Sequence, residues 1–319
     1  MTAEKIPHHR AFASIIMKVS GNVNADLGVG TRIPMKKIYT WKQEVKAFVS
    51  ARCIRRCIRE RLAEKGIKID PLQMIGAVGR QQLGDIGDPI QYIDDDLFGF
   101  LHPSEPPRRR SAPIKISHLI ALQHTEIKTE FAARFPREFL PEYQTGDPVP
   151  FEIELAEWLG RLDIIVSSRV GRFGEDELTD EMKTNPKVQK SESGYSLPPQ
   201  ERKERLKAFL EILLWEGWQF PRAAQSPSVP EYYYSMIGLS NRFVPLFSYL
   251  DINDQGLIDT KRVEDLKTLY GPLLDRLFII DYKRNRYEKY EMTKLQESGE
   301  LSNEFIQKMI EEIANYICV

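Results

Sequence analysis

The stretch FVSARCIRRCIRERLAEKG, residues 48–66, constrains the fold more than any other. A short strand, EVKAFVS, leads into a helix whose residues divide by chemistry. At about 3.6 residues per turn, Arg52, Arg55, Arg56 and Arg59 share an arc of about 100°. Cys53, Ile54, Cys57 and Ile58 occupy the other side, so the cysteines read as small buried hydrophobes. A metal clip would need more ligands nearby. The third cysteine, Cys318, lies at the far end of the chain, and His8, His9, His102, His118 and His124 show no zinc-finger spacing. Neither a metal nor a cofactor is expected. An odd cysteine count also argues against a disulfide framework and suits a reducing cytoplasm.

The arginine side reads differently. Ser50 is placed to cap the helix, which leaves backbone N–H groups and the positive end of the helix dipole facing an anion. Guanidinium groups fit phosphate oxygens bidentately and stay charged at any working pH. The competing reading is a solvated face paired with Glu60, Glu64 and other carboxylates. Against it, the arc holds four arginines and no acid.

With 42% hydrophobic and 29% charged residues among 319, the chain is globular and long enough for one elaborated domain or two ordinary ones. No apolar run approaches the roughly 18–20 residues of a membrane helix, and the N-terminus does not read as a signal peptide. The 45 basic and 46 acidic residues nearly cancel, which excludes binding of nucleic acid by bulk charge. Charge is instead clustered: basic at 32–37, 52–61, 106–110 and 282–290, acidic at 92–96 and 174–182.

Residues 11–25 read as a strand breaking into a Gly- and Asn-containing loop. IKISHLIAL (114–122), RLDIIVSSRVGRF (161–173) and EYYYSMIGLS read as further strands. In ERKERLKAFLEILLWEGW (201–218), Leu206, Phe209, Leu210, Leu213 and Leu214 recur at helical spacing. TKRVEDLKTLYGPLLDRLFI and SNEFIQKMIEEIANYI read as later helices. The irregular stretch 70–112 is expected to be an inserted subdomain or functional excursion. The polar stretch 174–200 is expected to lack a core and to protrude. Strand, helix, strand, strand, helix, strand with insertions suits a ferredoxin-like α+β core.

Other segments offer weaker chemistry. The loop SGNVNADLGVGTRIPMKK (20–37) carries glycines and the cations Arg32, Lys36 and Lys37, without P-loop spacing. WEGWQFPRAAQSPSVPEYYY (215–234) brings Arg222, Gln225, Ser226 and Ser228 between a helix and a strand, a turn that either contacts phosphates or simply connects. At least one of Tyr232, Tyr233 and Tyr234 is expected in the core. The acids at 94–96 read as a solvated turn rather than a Mg²⁺ site, and no Ser-His-Asp or Cys-His set can be assigned. No catalytic residue is expected.

SIIMKVSGNVNADLGVG, FVSARCIRRCIRERL, DPIQYIDDDLFGFL, APIKISHLIAL, SSRVGRFGEDE and FPRAAQSPSVPEYYY occur in an order that resembles a known family. It is the DevR-like backbone subunit of type I CRISPR Cascade complexes, of the I-B kind, within the RAMP superfamily. The resemblance covers most of the first 240 residues. It implies a modified RNA-recognition (ferredoxin-like) palm from 1–76 and 113–319, a finger insertion at 77–112 and a thumb hairpin at 168–199. It further implies a non-catalytic, cytoplasmic RNA-binding subunit in antiviral defence. Copies would polymerise along the spacer of a CRISPR RNA, beside other Cascade subunits, and present it for pairing with target DNA. The thumb would reach the neighbouring copy and wedge between nucleotides.

Carried onto this sequence, the RNA-binding set is Asn22, Asn24, Lys36, Lys37, Ser50, Arg52, Arg55, Arg56, Arg59, Arg169, Arg172, Arg222, Gln225 and Ser226. Phosphate contacts of this kind do not depend on base sequence, as a protein serving many spacers requires. Two other readings stay open. Related type III backbone subunits cleave target RNA with a metal and an aspartate after the first strand, where Asp26 lies. A protein-interaction scaffold would show no dependence on RNA.

Overall fold

The computed structural model describes residues 8–23, 30–76, 81–103, 106–142, 144–191, 193–221, 228–292 and 294–319. Its centre is a 12-stranded sheet. The strands are β1 (Arg10–Gly21), β2 (Arg32–Ile33), β3 (Lys37–Tyr39), β4 (Val45–Val49), β5 (Ile114–Ile116) and β6 (Leu119–Ala121), followed by β7 (Lys128–Arg134), β8 (Val149–Ser167), β9 (Glu231–Ser240), β10 (Arg276–Asp281), β11 (Arg286–Glu291) and β12 (Lys294–Glu300). They lie in the order β12-β11-β10-β9-β1-β8-β6-β4-β3, with β2, β5 and β7 also paired to β8. Pairing is antiparallel except between β2 and β8. The helices are α1 (Ala51–Glu64), α2 (Ile93–Phe98), α3 (Asp180–Lys183), α4 (Pro199–Glu211), α5 (Thr260–Tyr270) and α6 (Asn303–Ile317). The fold is mixed α/β around an antiparallel sheet.

The near-continuous apolar run of β1 follows from burial on both faces. Ala11, Ala13, Ile15, Met17 and Val19 join the core under α1, α4 and α6. Phe12 and Ile16 point the other way, into a second core with Val244, Leu246, Leu250 and residues of α5. Beneath α1, Ile54, Ile58 and Leu62 are fully buried, each worth about 1.5–3 kcal/mol on removal from water. This apolar stripe fixes which way the arginines face.

Helix α4 runs into a π turn, Ile212–Glu216, which leaves backbone carbonyls to be satisfied from outside. The Tyr232 hydroxyl donates to the Leu213 carbonyl (2.7 Å) and the Tyr282 hydroxyl to that of Leu214 (3.1 Å). Tyr234 is the core member of the tyrosine triplet, at 2% exposure.

Four elements depart from the sequence reading. The run from Thr260 is a helix only to Tyr270; Gly271 and Pro272 stop it, and Arg276–Asp281 is a strand. Strand β8 begins at Val149, well before Arg161, because its acidic residues disguise the alternation. Gly160 within it leaves room for the Trp158 ring, which a Cβ would meet at 2.3 Å. The acids Asp94, Asp95 and Asp96 are buried in α2 instead of lying on a solvated turn. Residues 174–200 do supply a core, in which Phe173, Leu178, Tyr195, Leu197 and Ile90 pack together beside a three-stranded sheet.

Candidate nucleic-acid interface

Strand β4 delivers the chain directly to the start of α1. Ser50 is extended and its hydroxyl accepts from the Cys53 N–H (3.2 Å), closing the helix start as expected. The Ala51 N–H donates to His118 Nδ1 at 2.9 Å, so two N–H groups of the first turn are already satisfied. Cys53 and Cys57 are free, buried and hydrogen-bonded to each other. That bond, then burial, drives the Cys57 thiol far above its ordinary range, while the same bond lowers Cys53.

The arginine face is not free of acid. Arg59 pairs with Asp94 of α2 (2.7 Å), and Arg56 with Glu60 one turn on (2.9 Å). The Asp94 carboxylate also accepts from the Asp70 N–H, so Arg59 joins α1 to the following segment. Arg52 and Arg55 form no ion pair among the described residues. Arg55 is half-buried, its Nε donating to the Ala51 carbonyl at 3.4 Å. Burial, then the charges of Arg59 and Arg52, lowers its pKa, the signature of a cation crowded by cations. Lys36 lies close enough to influence Cys53 and likewise forms no ion pair among the described residues.

Lys37 is otherwise engaged. Its ammonium contacts both oxygens of Glu154 (2.9 and 2.7 Å). Glu154, at 2% exposure, also accepts from Arg32 and from the Met35 N–H, each at 2.9 Å. Burial would raise this carboxyl, but bonds from Lys37 and Met35 outweigh it and hold the group below its usual range. Asn22 donates to the carbonyls of Ile33 (3.2 Å) and Glu154 (2.8 Å), tying the end of β1 to this knot. Asn24, Asp26, Arg222, Gln225 and Ser226 lie outside the described residues.

Around Asp96 the buried charges form a hub. Asp96 accepts from Arg110 (2.6 Å), from Arg205 (3.0 Å) and from the Gly171 N–H. Gly171 has φ +63°, and a Cβ there would meet the Arg202 side chain at 2.4 Å, so glycine alone suits this approach. Arg110 also meets Glu177 at 2.5 Å, and Arg169 pairs with the same carboxylate. Arg172 donates to the Val319 carbonyl and is lowered by burial. Both arginines therefore anchor the segment after β8. Beside the hub, Asp70, Asp85 and Asp95 bring one oxygen each within 4.8 Å of one another. Asp70 and Asp95 accept backbone N–H groups of Leu72, Ile86 and Asp88 there. Burial, then the charges of Asp70 and Asp94, pushes Asp95 up to about 8.

Sequence reasoning missed Glu154, Asp94, Asp96, Arg110 and Arg205. A usable signal was present for two: Asp94 and Asp96 lie among Ile93, Leu97 and Phe98, which cannot all face water on one turn. Of the expected set, Arg52, Arg55 and Lys36 form no ion pair among the described residues, while Lys37, Arg59 and Arg169 neutralise buried carboxylates.

The class is defined first by the fold. A chain of a solved "CRISPR RNA-guided surveillance complex, pre-nicking" superposes with a TM-score of 0.58 at 11% identity, over 95% of this chain and all of the other. A chain of a second "CRISPR RNA-guided surveillance complex" gives 0.51 at 12% identity, over 95% and 98%. At such identities the likeness is one of fold. Comparison with curated protein sequences gives no match. The family comes from the sequence itself: residues 51–259, opening on α1, match the family described as CRISPR-associated negative auto-regulator DevR/Csa2. The chain belongs to that family, as its motif order suggested.

Proposed function

We propose that this protein is the RNA-binding backbone subunit of a type I Cascade, of the I-B kind, and that Arg52 and Arg55 hold the phosphates of its CRISPR RNA. One observation carries the assignment. On a helix face where the other two arginines are neutralised, these two stand without a carboxylate, crowded together beside a capped helix start. Arg52 is exposed and Arg55 half-buried, and the charge of Arg55, crowded by its neighbours, would be relieved by an incoming polyanion. Lys36 extends the surface, and the sequence between Asn22 and Lys36, with the loop around Arg222, is read as its rim.

The adjacent order β9-β1-β8-β6 supports a ferredoxin-like palm, with α1 lying in the chain between β4 and β5–β6 and α4 between β8 and β9. Residues 77–112, with α2 and the antiparallel pairing of Phe100–His102 with Arg108–Arg110, are read as the fingers, and 168–199 as the thumb. Further copies would line the guide, other Cascade subunits would cap it, and target DNA would bind by pairing to it. The role is structural rather than catalytic.

Co-expression with a CRISPR array tests this reading. The purified protein should retain a discrete RNA of about one guide length, whatever the spacer, and an Arg52→Ala/Arg55→Ala variant should lose it. A folded wild-type protein that emerges without RNA would overturn the assignment.

A further inference from the structure

Strands β3 and β4 form a hairpin at the edge of the sheet, and its tip is the most exposed aromatic site described. Trp41 is 87% exposed and Tyr39 67%. Large apolar rings at such exposure normally belong to an interface. The tip is firmly built. The Thr40 N–H donates to the Glu44 carbonyl and the Gln43 N–H to that of Thr40, both at 2.9 Å. The Thr40 hydroxyl accepts from the N–H groups of Lys42 (3.3 Å) and Glu44 (3.2 Å). Trp41 is thus presented on ordered backbone.

The charge around the rings chooses the partner. Residues 36–46 hold four lysines and one acid. Lys36 and Lys42 form no ion pair among the described residues, and the Lys42 ammonium lies over the Trp41 ring, 5.2 Å from its centroid. Aromatic rings interleaved with cations match a single strand, in which bases alternate with phosphates. The hairpin is continuous in the chain with the proposed phosphate surface, since β4 leads into Ser50 and α1. Its five residues span only about 17 Å.

We propose that the β3–β4 tip is a base-stacking site, with Trp41 taking an unpaired nucleobase of the strand that Arg52 and Arg55 hold. The inference rests on the phosphate reading above but adds a contact to bases, which arginines on phosphates do not supply. Lys42 covers one face of the indole and the base stacks on the other. Stacking of this kind accepts any base, so it is compatible with a guide of arbitrary sequence.

Tryptophan fluorescence separates the two contacts. Trp158 and Trp218 are buried and Trp215 is half exposed, so Trp41 dominates any quenching by ligand. The full chain is titrated with a single-stranded oligouridine and with an abasic ribose-phosphate strand of equal length, affinity being read for every variant by polarisation of a dye on the strand's end and quenching being followed in proteins that keep Trp41. Oligouridine should quench the wild type and bind more tightly than the abasic strand. Trp41→Ala should weaken oligouridine binding about tenfold while leaving abasic binding unchanged, and Trp41→Phe should restore most of the loss. Equal affinity of wild type and Trp41→Ala for oligouridine would overturn the proposal. So would Trp41→Ala that keeps RNA affinity but loses self-association in sedimentation, which would assign the tip to a protein contact. Failure of the phosphate reading looks different: abasic binding would be unchanged in Arg52→Ala/Arg55→Ala while quenching by oligouridine persisted.

Discussion

Arg55 and Arg56 are neighbours in sequence with opposite expectations. Arg56 is exposed and already paired with Glu60, so Arg56→Ala should change RNA affinity by less than about twofold. Arg55 is half-buried with no acid partner among the described residues, and Arg55→Ala should cost about tenfold or more in filter binding. Arg59→Ala is a poor probe, since it strands Asp94 at 3% exposure and conflates folding with binding. Asp96→Ala should destabilise by about 3–5 kcal/mol in urea denaturation, because Arg110 and Arg205 lose their buried counter-charge. Asp95 gives a pH dependence of known sign. Its native value, about 8, lies above its ordinary 3.8, so the native state holds this proton more tightly than the unfolded chain. Its contribution is full below the unfolded value and is lost as pH rises through the native one. Asp95→Asn should therefore stabilise the protein, relative to wild type, more at about pH 8.5 than at about pH 4.5. At this scale Ser50 and the two cysteines were legible because their partners lie within one helical turn. Asp94 was not, because it reaches Arg59 from a separate element.

Among elements, those with a strong apolar signal were readable: β1 and β9 by near-continuous apolar runs, α1 and α6 by helical spacing. Strand β8 did not, since Glu154 sits inward on a position that alternation reserves for an apolar residue. Its cost is covered by Arg32 of β2 and by Lys37 of β3, the second of which sequence reading assigned to RNA. The π turn after α4 was equally hidden, because its carbonyls are satisfied by tyrosines from β9 and the turn after β10. Tyr232→Phe should cost about 1 kcal/mol of stability by releasing the Leu213 carbonyl, and chemical denaturation reads it directly.

For the whole molecule, near-zero net charge conceals a division of labour. Several buried arginines fold the protein: Arg110, Arg202 and Arg205 hold the segment after β8, α4 and the chain end to α2 and the sheet. Among the described residues Lys36, Lys42, Arg52 and Arg55 form no ion pair and lie along one hairpin and the helix that follows it, while other cations without an ion pair, such as Arg109, Lys115 and Arg134, are scattered elsewhere. That division was not readable from composition, which counts charges without saying which are buried. It makes the central claim testable by salt. Wild-type protein should bind two unrelated single-stranded RNAs of equal length with equal affinity, and binding should weaken as salt rises. Removing the two proposed phosphate contacts in Arg52→Ala/Arg55→Ala should flatten the slope of log K against log salt by about 1.4. A folded double variant whose affinity and slope both match the wild type would contradict the account.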